Sequence, residues 1–439
     1  MNRRLHAAAF AVACVCAHRA AHADPDSQPD VIRRARCAEV RDADGVVACA
    51  LAASPEVAEA RAQVDAVDGR RATAAVVLPS NPTLAGSLSS RRRQEAPTSV
   101  LNWSVSLAQE LEVGGQRAAR LEQADAEGAA RTAHQRVVEH EVAAGALTAY
   151  YEAVAAREAL TFATDLATTA RALAEYAVGR AQEALVAGIE ADVARAEATR
   201  MGVLRFEAER RHVEAVAVLA LLLDVPVSRL QLPARLPTSE GPALPEGDEL
   251  AERALHLRGE LAAAEAEQRV LERRLAVVRR ERTPNPTLSL FAERGEVNDQ
   301  IFGVGLSVPI PLPAPVGRTR AGEIAETLAQ VRAAGSSREL VRRRVLAEVA
   351  RAAAAYRSRS GQVGLFAPDL VTRAHADLAA LREALAARRL TLREGLQWQR
   401  SLIELLSADI ETRLARLTAE VELRRVAGLP LTTTAGGER

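Results

Sequence analysis

The side chains that most often bind metals or carry protons in enzymes are sparse in this sequence. Beyond residue 23 the chain has five histidines and a single methionine, Met201. No two of the histidines stand four residues apart, which is the helical spacing that brings two ligands to one zinc ion. A copper or silver site would need clustered Met or Cys. The five histidines are His134, His140, His212, His256 and His375.

Motifs that carry catalysis are missing as well. The sequence contains no CxxC pair, no HExxH helix, no glycine-rich phosphate loop and no nucleophile elbow. Its many Glu and Asp residues follow no spacing that would pair one as an acid with another as a base. We therefore expect no catalytic residue, no cofactor and no metal site, and we expect that the protein is not an enzyme.

The N-terminus has the three-part layout of a secretory signal peptide over residues 1–23. Two arginines precede an apolar run at 7–17, and the small-x-small triplet AHA follows it. A frayed N-terminal helix is the alternative. Export would place Cys37 and Cys49 in an oxidising compartment, where they either form a disulfide that clips a short segment or stay as two thiols.

Charge and composition argue against two kinds of protein. The 57 basic residues balance the 57 acidic ones, and aromatic residues make up only 3% of the chain. A nucleic-acid groove needs a basic patch and stacking surfaces, so we expect no nucleic-acid partner. Beyond the N-terminal run, no apolar stretch reaches the roughly 18 residues of a membrane-spanning helix. Contact with a membrane would therefore need another kind of structure.

Long helices are expected over most of the chain, because Ala, Arg, Glu and Leu dominate it. Residues 116–179 contain no proline and carry apolar residues at every third or fourth position, and a second such stretch covers 319–365. The first stretch would be roughly 95 Å long as a helix, far beyond the usual globular helix. This length favours coiled-coil-like packing, although a generic scaffold of long helices would show the same periodicity.

The tetrapeptide NPTL occurs at 81–84 and again at 285–288, which is 204 positions later. Each copy follows an expected helix, at about 54–77 and 249–282, that a proline ends. Each half then reads strand, turn, strand, long helix and shorter helix, and an internal duplication is the simplest explanation. The helix-to-strand junctions are Asn81, Pro82, Asn285 and Pro286.

These features divide the chain into a signal peptide, an N-terminal segment, two repeats and a C-terminal tail. Their expected bounds are 1–23, 24–53, 54–240, 241–431 and 432–439. The expected strands lie at about 83–90 and 100–111 in the first repeat and at about 287–293 and 301–310 in the second.

The expected strands alternate between apolar residues and small or polar ones. Strands of roughly 9–11 residues with this alternation cross a bilayer in a tilted barrel, with one face on lipid and the other on a water-filled lumen. A soluble hairpin packed on helices would alternate in the same way. The residues expected to face lipid are Leu101, Trp103, Val105, Leu107, Phe302, Val304 and Leu306.

The number of strands decides what a barrel would require. Four strands are too few to close around an aqueous bore. Three protomers would supply twelve. The barrel interpretation therefore requires a trimer, with each chain mainly α-helical and carrying a small β part.

The order of these elements resembles the TolC-like outer-membrane efflux proteins over nearly the whole chain beyond the signal peptide. The resemblance rests on LPSNP and RTPNP, on QELEVGGQRAAR after the second strand, and on the segments AVAVLALLLDVPV and AEVELRRVAGLPL that end the two halves. The phrase QELEVGGQR is most similar to the CzcC-type branch, which serves heavy-metal efflux systems of the resistance-nodulation-division class.

The resemblance implies a homotrimer in which a twelve-stranded outer-membrane barrel continues as a long α-helical coiled-coil tunnel across the periplasm. Such a channel has no catalytic step. It receives its substrate, heavy-metal cations in this branch, from an inner-membrane pump through a periplasmic adaptor protein. Ducts for drugs or for type I protein secretion share this architecture. A soluble periplasmic coiled-coil adaptor or scaffold is the alternative of another class, although it should have a lipoyl-like or β-rich half around one helical hairpin.

In that family the periplasmic tip consists of two helical hairpins per protomer, which meet the adaptor and constrict the pore. The corresponding turns lie in 184–197 and 386–398, and the charges there would also suit an ordinary solvated helix surface. We expect the first chain reversal at Gly188, where the family often has glycine, whereas two arginines depart from that pattern in the second turn. The candidate tip or gate residues are Gly188, Ile189, Glu190, Asp192, Arg388, Arg389, Leu390 and Thr391.

Overall fold

The computed structural model describes most of the chain between residues 37 and 431. The described residues are 37, 42–92, 99–237, 247–294, 299–312, 315–317, 319–367, 370–374, 376–377, 380, 383 and 392–431. Several expectations lie outside them, namely the signal peptide at 1–23, the tail at 432–439, and the tip residues Arg388, Arg389, Leu390 and Thr391.

The first half begins with helix α1 (Ala43–Ala53) and helix α2 (Pro55–Ala74). Ser54 separates them, because its hydroxyl accepts a hydrogen bond from the Val57 N–H at 3.2 Å and caps α2. Proline at the first helical position suits this start, since its missing N–H would have no partner there. Ahead of α1, Cys37 forms a disulfide with Cys49, and their Cα atoms are 5.4 Å apart.

Two strands and two long helices complete the first half. They are β1 (Thr83–Arg92), β2 (Ser99–Glu110), α3 (Gln116–Gln182) and α4 (Gly188–Leu223). Helix α3 contains 67 residues, which gives a length of about 100 Å. Helix α4 packs antiparallel on the second half of α3, with its residues 191–194 against 174–177 and its residues 216–223 against 144–155.

The second half repeats this order of elements. They are α5 (Gly247–Leu257), α6 (Gly259–Arg280), β3 (Thr287–Arg294), β4 (Gln300–Ser307), α7 (Ala321–Val363) and α8 (Leu392–Ala427). Helix α5 starts and ends 204 residues after α1, and α6 starts 204 residues after α2. The offset between the two NPTL copies therefore also relates the helices before them.

One expected helix is wrong, because the stretch 249–282 is broken at Arg258. This residue is extended, with φ −72° and ψ 122°. Its guanidinium is buried and pairs with Glu260 at 3.0 Å and with Glu348 of α7 at 2.5 Å. Gly259 allows close contact with α3, since a Cβ there would lie 2.9 Å from Val137 Cγ2. These contacts hold the break against α3 and α7.

The four strands form one antiparallel sheet in the order β1-β2-β3-β4. Strands β2 and β3 join the two halves, with Leu107 opposite Leu290 and Glu110 opposite Thr287. Strands β1 and β4 form the two edges. The expectation of a mainly helical chain with a small antiparallel sheet is confirmed.

The helices pack around buried clusters of alanine and branched aliphatic residues. The largest cluster joins α1, α3, α4 and α8, with Val46, Leu147, Leu219 and Val421 among its members. A second cluster joins α5, α7 and α8. Because alanine is frequent in these clusters, neighbouring helices can approach closely. Within the described part of the chain, no helix has both the length and the apolar character needed to span a membrane.

A buried ionic cluster holds the connection between the halves. The Glu158 carboxylate on α3 accepts hydrogen bonds from Arg413 on α8 at 2.8 Å and from the backbone N–H of Leu236, in the connector after α4, at 2.9 Å. Burial alone would lower the pKa of Arg413. Its hydrogen bonds to Glu158 and Asp409 outweigh burial and raise that pKa, so the guanidinium stays charged.

Candidate functional site: sheet faces, strand junctions and helix tips

One face of the sheet is apolar and exposed in the single chain. The strand register places the seven residues expected to face lipid on this face, in cross-strand rows such as Leu84, Leu107, Leu290 and Val304. Phe302 is 75% exposed and Leu84 is 70% exposed. An apolar surface of this kind, built from four strands, marks an interaction with lipid or with another apolar partner.

The opposite face carries small and polar residues. The hydroxyls of Ser87 and Ser104 lie 2.8 Å apart across β1 and β2. The large Phe291 side chain on this face lies against Gly303 of β4, where a Cβ atom would come within 2.3 Å of the ring. The two faces therefore differ in polarity along all four strands, which is the pattern of a sheet between an apolar medium and water.

The second NPTL junction is tied to the end of β2 by buried hydrogen bonds. Gln116, which is 2% exposed at the start of α3, donates from Nε2 to Asn285 Oδ1 at 2.9 Å. Asn285 donates from Nδ2 to Glu110 Oε1 at 2.8 Å, and the Leu111 N–H donates to the Pro286 carbonyl at 2.9 Å. Each half therefore positions the other where helices become strands.

The first NPTL junction has a different environment. Asn81 and Pro82 are exposed, whereas Asn285 and Pro286 are half-buried against β2 and α3. The sequence-based prediction named these four residues as junctions but did not include Gln116 or Glu110. Both belong to the phrase QELEVGGQ. Local sequence patterns do not reveal their contact with Asn285, because it lies some 170 residues away in the chain.

The two glycines of that phrase have separate roles. Gly115 adopts φ 74°, a left-handed conformation that glycine reaches without the steric penalty of other residues, immediately before α3. Gly114 lies against the second junction. A Cβ on Gly114 would lie 2.7 Å from Thr283 Cβ and 2.8 Å from Gln116 Nε2, so the close approach of the two halves requires glycine.

The turn between α3 and α4 reverses at Ala184, so the expected reversal at Gly188 is wrong. Ala184 has φ 54°, and Gly188 is the first residue of α4. The reversal follows the end of α3, where the Leu185 N–H bonds to the Arg180 carbonyl at 2.9 Å. This pattern satisfies the last free carbonyls of a helix and needs its left-handed residue there.

The start of α4 and the start of α8 border a cavity of about 530 Å³. Its lining includes Ile189 and Glu190 from α4 and Arg393, Leu396 and Arg400 from α8. Asp192, another candidate tip residue, instead pairs with Arg195 at 3.2 Å on the exposed side of α4. The structure thus brings two of the expected tip residues together with α8.

A buried carboxylate links the two hairpins near this cavity, and sequence analysis missed it. Glu197 of α4 pairs with Arg200 at 2.6 Å and with Arg400 of α8 at 3.4 Å. Burial would raise the pKa of Glu197, but the hydrogen bond from Arg200 and the charges of both arginines outweigh it and lower that pKa. The tip therefore combines apolar residues with an ion pair between hairpins.

Replacing Gly114 with alanine should weaken the junction, because the new methyl group would overlap Thr283 and Gln116. Overpacking of this kind costs about 1–3 kcal/mol. The matched control is Gly188→Ala, where no atom lies within 4 Å of the added Cβ. We expect Gly114→Ala, and not Gly188→Ala, to lower the denaturant concentration at which the purified protein unfolds. Equal midpoints for the two variants would contradict the close-approach role of Gly114.

Comparison with solved structures shows the fold that the chain shares with other proteins. The outer-membrane channel OprN is 19% identical at a TM-score of 0.71, covering 89% of this chain and 90% of OprN. CusC, described in terms of transmembrane channel formation, is 15% identical at 0.71, with 88% and 92% covered. The outer membrane protein VceC from Vibrio cholerae is 16% identical at 0.69, with 89% and 97% covered.

No protein-family model and no curated protein matches the chain. The structural matches nevertheless cover most of both chains in each pair. Within the described residues, no group of three or more His, Cys, Asp or Glu side chains is arranged to hold a metal ion. The chain therefore has the fold of outer-membrane channel proteins.

Proposed function

We propose that this protein is the outer-membrane exit duct of a tripartite efflux system. Three copies would form a twelve-stranded barrel in the outer membrane, continued by a helical tunnel in the periplasm. An inner-membrane pump would deliver substrate through a periplasmic adaptor protein. The observation that carries the proposal is one sheet with an exposed apolar face, joined to long helices of which α3 alone is about 100 Å long.

The physical argument concerns the edges of this sheet. In lipid every backbone N–H and C=O must be paired, so a membrane sheet has to close on itself. The apolar face suits lipid, but β1 and β4 remain as edges of a four-stranded sheet. Four strands cannot enclose water, whereas twelve strands leave a bore. Three copies therefore complete the structure that one chain begins.

The proposed duct acts without chemistry on its substrate. Selection in a pore depends on its diameter, on the charges that line it and on its gate. The cavity between the starts of α4 and α8 carries both apolar and charged side chains, including Ile189, Glu190 and Arg393. This mixture suits a surface that meets an adaptor and constricts the tunnel. Arg388, Arg389, Leu390 and Thr391 belong to the same proposed tip on sequence grounds.

For the substrate class we propose heavy-metal cations, delivered by a pump of the resistance-nodulation-division class. The support is the similarity of QELEVGGQR to the heavy-metal branch. A duct for drugs is equally consistent with the fold, because the structural neighbours include several outer-membrane channels. Substrate class therefore needs a test in cells.

Cell fractionation tests the duct itself. We expect the protein in the outer membrane, and we expect a trimer on a denaturing gel of unheated samples that falls to a monomer after boiling. The reason is that closed barrels keep all their strand hydrogen bonds until heat breaks them. Recovery as a soluble monomer in the periplasm would support the coiled-coil scaffold and overturn the duct.

A charge on the apolar face should block assembly if that face contacts lipid. Trp103→Asp places a carboxylate there, next to Leu88 across the β1–β2 pair. Charges at lipid-facing strand positions cost up to a few kcal/mol, so the trimer yield should fall about tenfold or more. Asn102→Asp on the opposite face is the matched control and should assemble normally. Normal trimer yield from Trp103→Asp would show that the assigned lipid face is wrong.

Deletion of the gene separates the two substrate classes. If the duct exports metals, the deletion strain should grow poorly at zinc, cadmium or cobalt concentrations that the parent tolerates. Complementation with the wild-type gene should restore growth. Unchanged metal tolerance together with new drug sensitivity would replace the metal assignment with a drug duct.

A further inference from the structure

The pairing of β2 with β3, called here the β2–β3 joint, determines which backbone N–H and C=O groups of the edge strands β1 and β4 point away from the sheet. The Leu111 N–H donates to the Pro286 carbonyl at 2.9 Å, so Leu111 and Pro286 are a hydrogen-bonded pair at the β2–β3 joint. Hydrogen-bonded and non-hydrogen-bonded pairs alternate along antiparallel strands. Odd-numbered residues of β2 therefore bond to β3, and its even-numbered residues bond to β1.

The same alternation assigns the two edges. On β1, Thr83 and Ala85 face β2, so Leu84, Gly86 and Leu88 present their N–H and C=O groups outward. On β4, the odd-numbered residues 301–307 face β3. The outward groups of β4 are then those of the even-numbered residues. Strand β4 ends at Ser307, and an extended chain beyond it would continue the alternation to Val308 and Ile310.

Prolines at the end of β4 leave this outward row of donors intact. Pro309 and Pro311 lack an N–H, and proline on an edge usually prevents a further strand from pairing there. Both fall on positions that face β3, beyond the last β3–β4 pair, Thr287 opposite Ser307. Ile310 lies between them and keeps its N–H on the outward side. The edge is therefore able to accept another strand.

The internal repeat supplies the partner for that edge. Trp103, Val105 and Leu107 of β2 correspond to Phe302, Val304 and Leu306 of β4, since each set pairs with the strand that begins at its own NPTL copy. The β2–β3 joint of one chain is then a template for a β4–β1 joint between chains. In that template the counterpart of Leu111 is Ile310, and the counterpart of Pro286 is Pro82.

We propose that the outer edge of β4 pairs antiparallel with the outer edge of β1 in a second copy of this chain, in one specific register. Ile310 donates its N–H to the carbonyl of Pro82 in that copy. Val308 then lies opposite Leu84, Leu306 opposite Gly86, and Ser307 opposite Ala85. The proposal rests on the proposed function, and it adds the residue pairs that join the copies.

The faces of the sheet agree with this register. Val304 and Leu306 belong to the apolar face, as do Leu84 and Leu88, and Val308 is in phase with them just beyond the end of β4. The proposed pairing places all five on the same side of the joined sheet. A slip of one residue would move every side chain of one strand to the other face, so the apolar surface would be interrupted at each joint.

The surroundings of the joint also match. Within one chain, Thr283 and Asn285 at the second NPTL copy pack against the end of β2 and the start of α3. In the second half, a groove of about 800 Å³ is lined by Ile310, Leu312 and Arg320, and also by Glu281, Arg282 and Pro284 of the same chain. Asn81 and Pro82 are exposed at the other edge of the sheet. In the proposed register, this exposed junction of the second copy would lie next to Ile310, at the border of the groove.

The polar contacts of the internal joint are not repeated in this groove. Pro309 stands where β2 has Glu110, so Asn81 has no carboxylate partner equivalent to the one that Asn285 has. The joint between copies therefore depends on backbone hydrogen bonds and on apolar contact. Copies should thus separate more readily than the two halves of one chain.

Cysteine pairs in the full-length protein test the register. Ala85 and Ser307 would form a non-hydrogen-bonded pair with Cα atoms about 4.5 Å apart, within the range that a disulfide spans. Ala85→Cys with Ser307→Cys should give covalent dimers and trimers on non-reducing gels, and reductant should return them to monomers. The control keeps Ser307→Cys but uses Ser89→Cys, four residues further along β1 and so about 13 Å away. The control should stay monomeric after heating.

Co-expression of two differently tagged chains, one with Ala85→Cys and the other with Ser307→Cys, shows whether the bond joins separate copies. A product carrying both tags is expected. Three results would overturn the register: efficient cross-linking of the control pair, a disulfide within one chain, or no cross-link although the wild type is a multimer in the outer membrane. A wild type that forms no outer-membrane multimer would overturn the proposed function, and the pairing with it.

Discussion

The structure depends on a change of hydrogen-bond partners that has to be completed within a few residues. A helix satisfies its backbone internally and a strand needs neighbours, so a chain that passes from one to the other exposes N–H and C=O groups at the transition. Here Gln116 pairs with the Gly114 N–H and with the Thr283 carbonyl, and the Leu111 N–H pairs with the Pro286 carbonyl. Side-chain hydrogen bonds through Asn285 and Glu110 extend this network. Because the network joins both halves, it orients the sheet on the helices.

The helical layer is held together by a different interaction. Alanine is frequent in its clusters, and the buried part of the cluster between α3 and the start of α4 is alanine only, so contacts there bury little apolar area. Buried arginines supply additional links between helices: Arg413 joins α8 to α3, and Arg258 joins the α5–α6 break to α7. A buried charge is costly when it loses its partner. These pairs therefore favour one alignment of helices over the many that an alanine-rich seam would allow.

Much of this fold could be predicted from local signals. Proline and NPTL mark where helices end, and the period-two alternation marks the strands, because both effects act within a few residues. The break at Arg258 was missed because arginine is a good helix former and its partner Glu348 lies 90 positions away. The 204-residue offset of the repeat was the signal for it, because it places Arg258 at the position that Ser54 has in the first half. The same distance effect hid the contact between Gln116 and Asn285. At the tip, glycine suggested a reversal at Gly188, but the end of α3 places the left-handed residue at Ala184.

The contacts of QELEVGGQR in the structure reduce its value as a sign of the substrate class. In the sequence it is the feature that favours a heavy-metal branch. In the structure Glu110, Gly114, Gly115 and Gln116 contact the second junction and one another, and these contacts account for the residue types without a ligand. A junction of this kind would serve a channel for any substrate. If the protein is the proposed duct, discrimination between substrates should therefore be sought in the charges that line the duct, for example near the cavity bordered by Glu190 and Arg400.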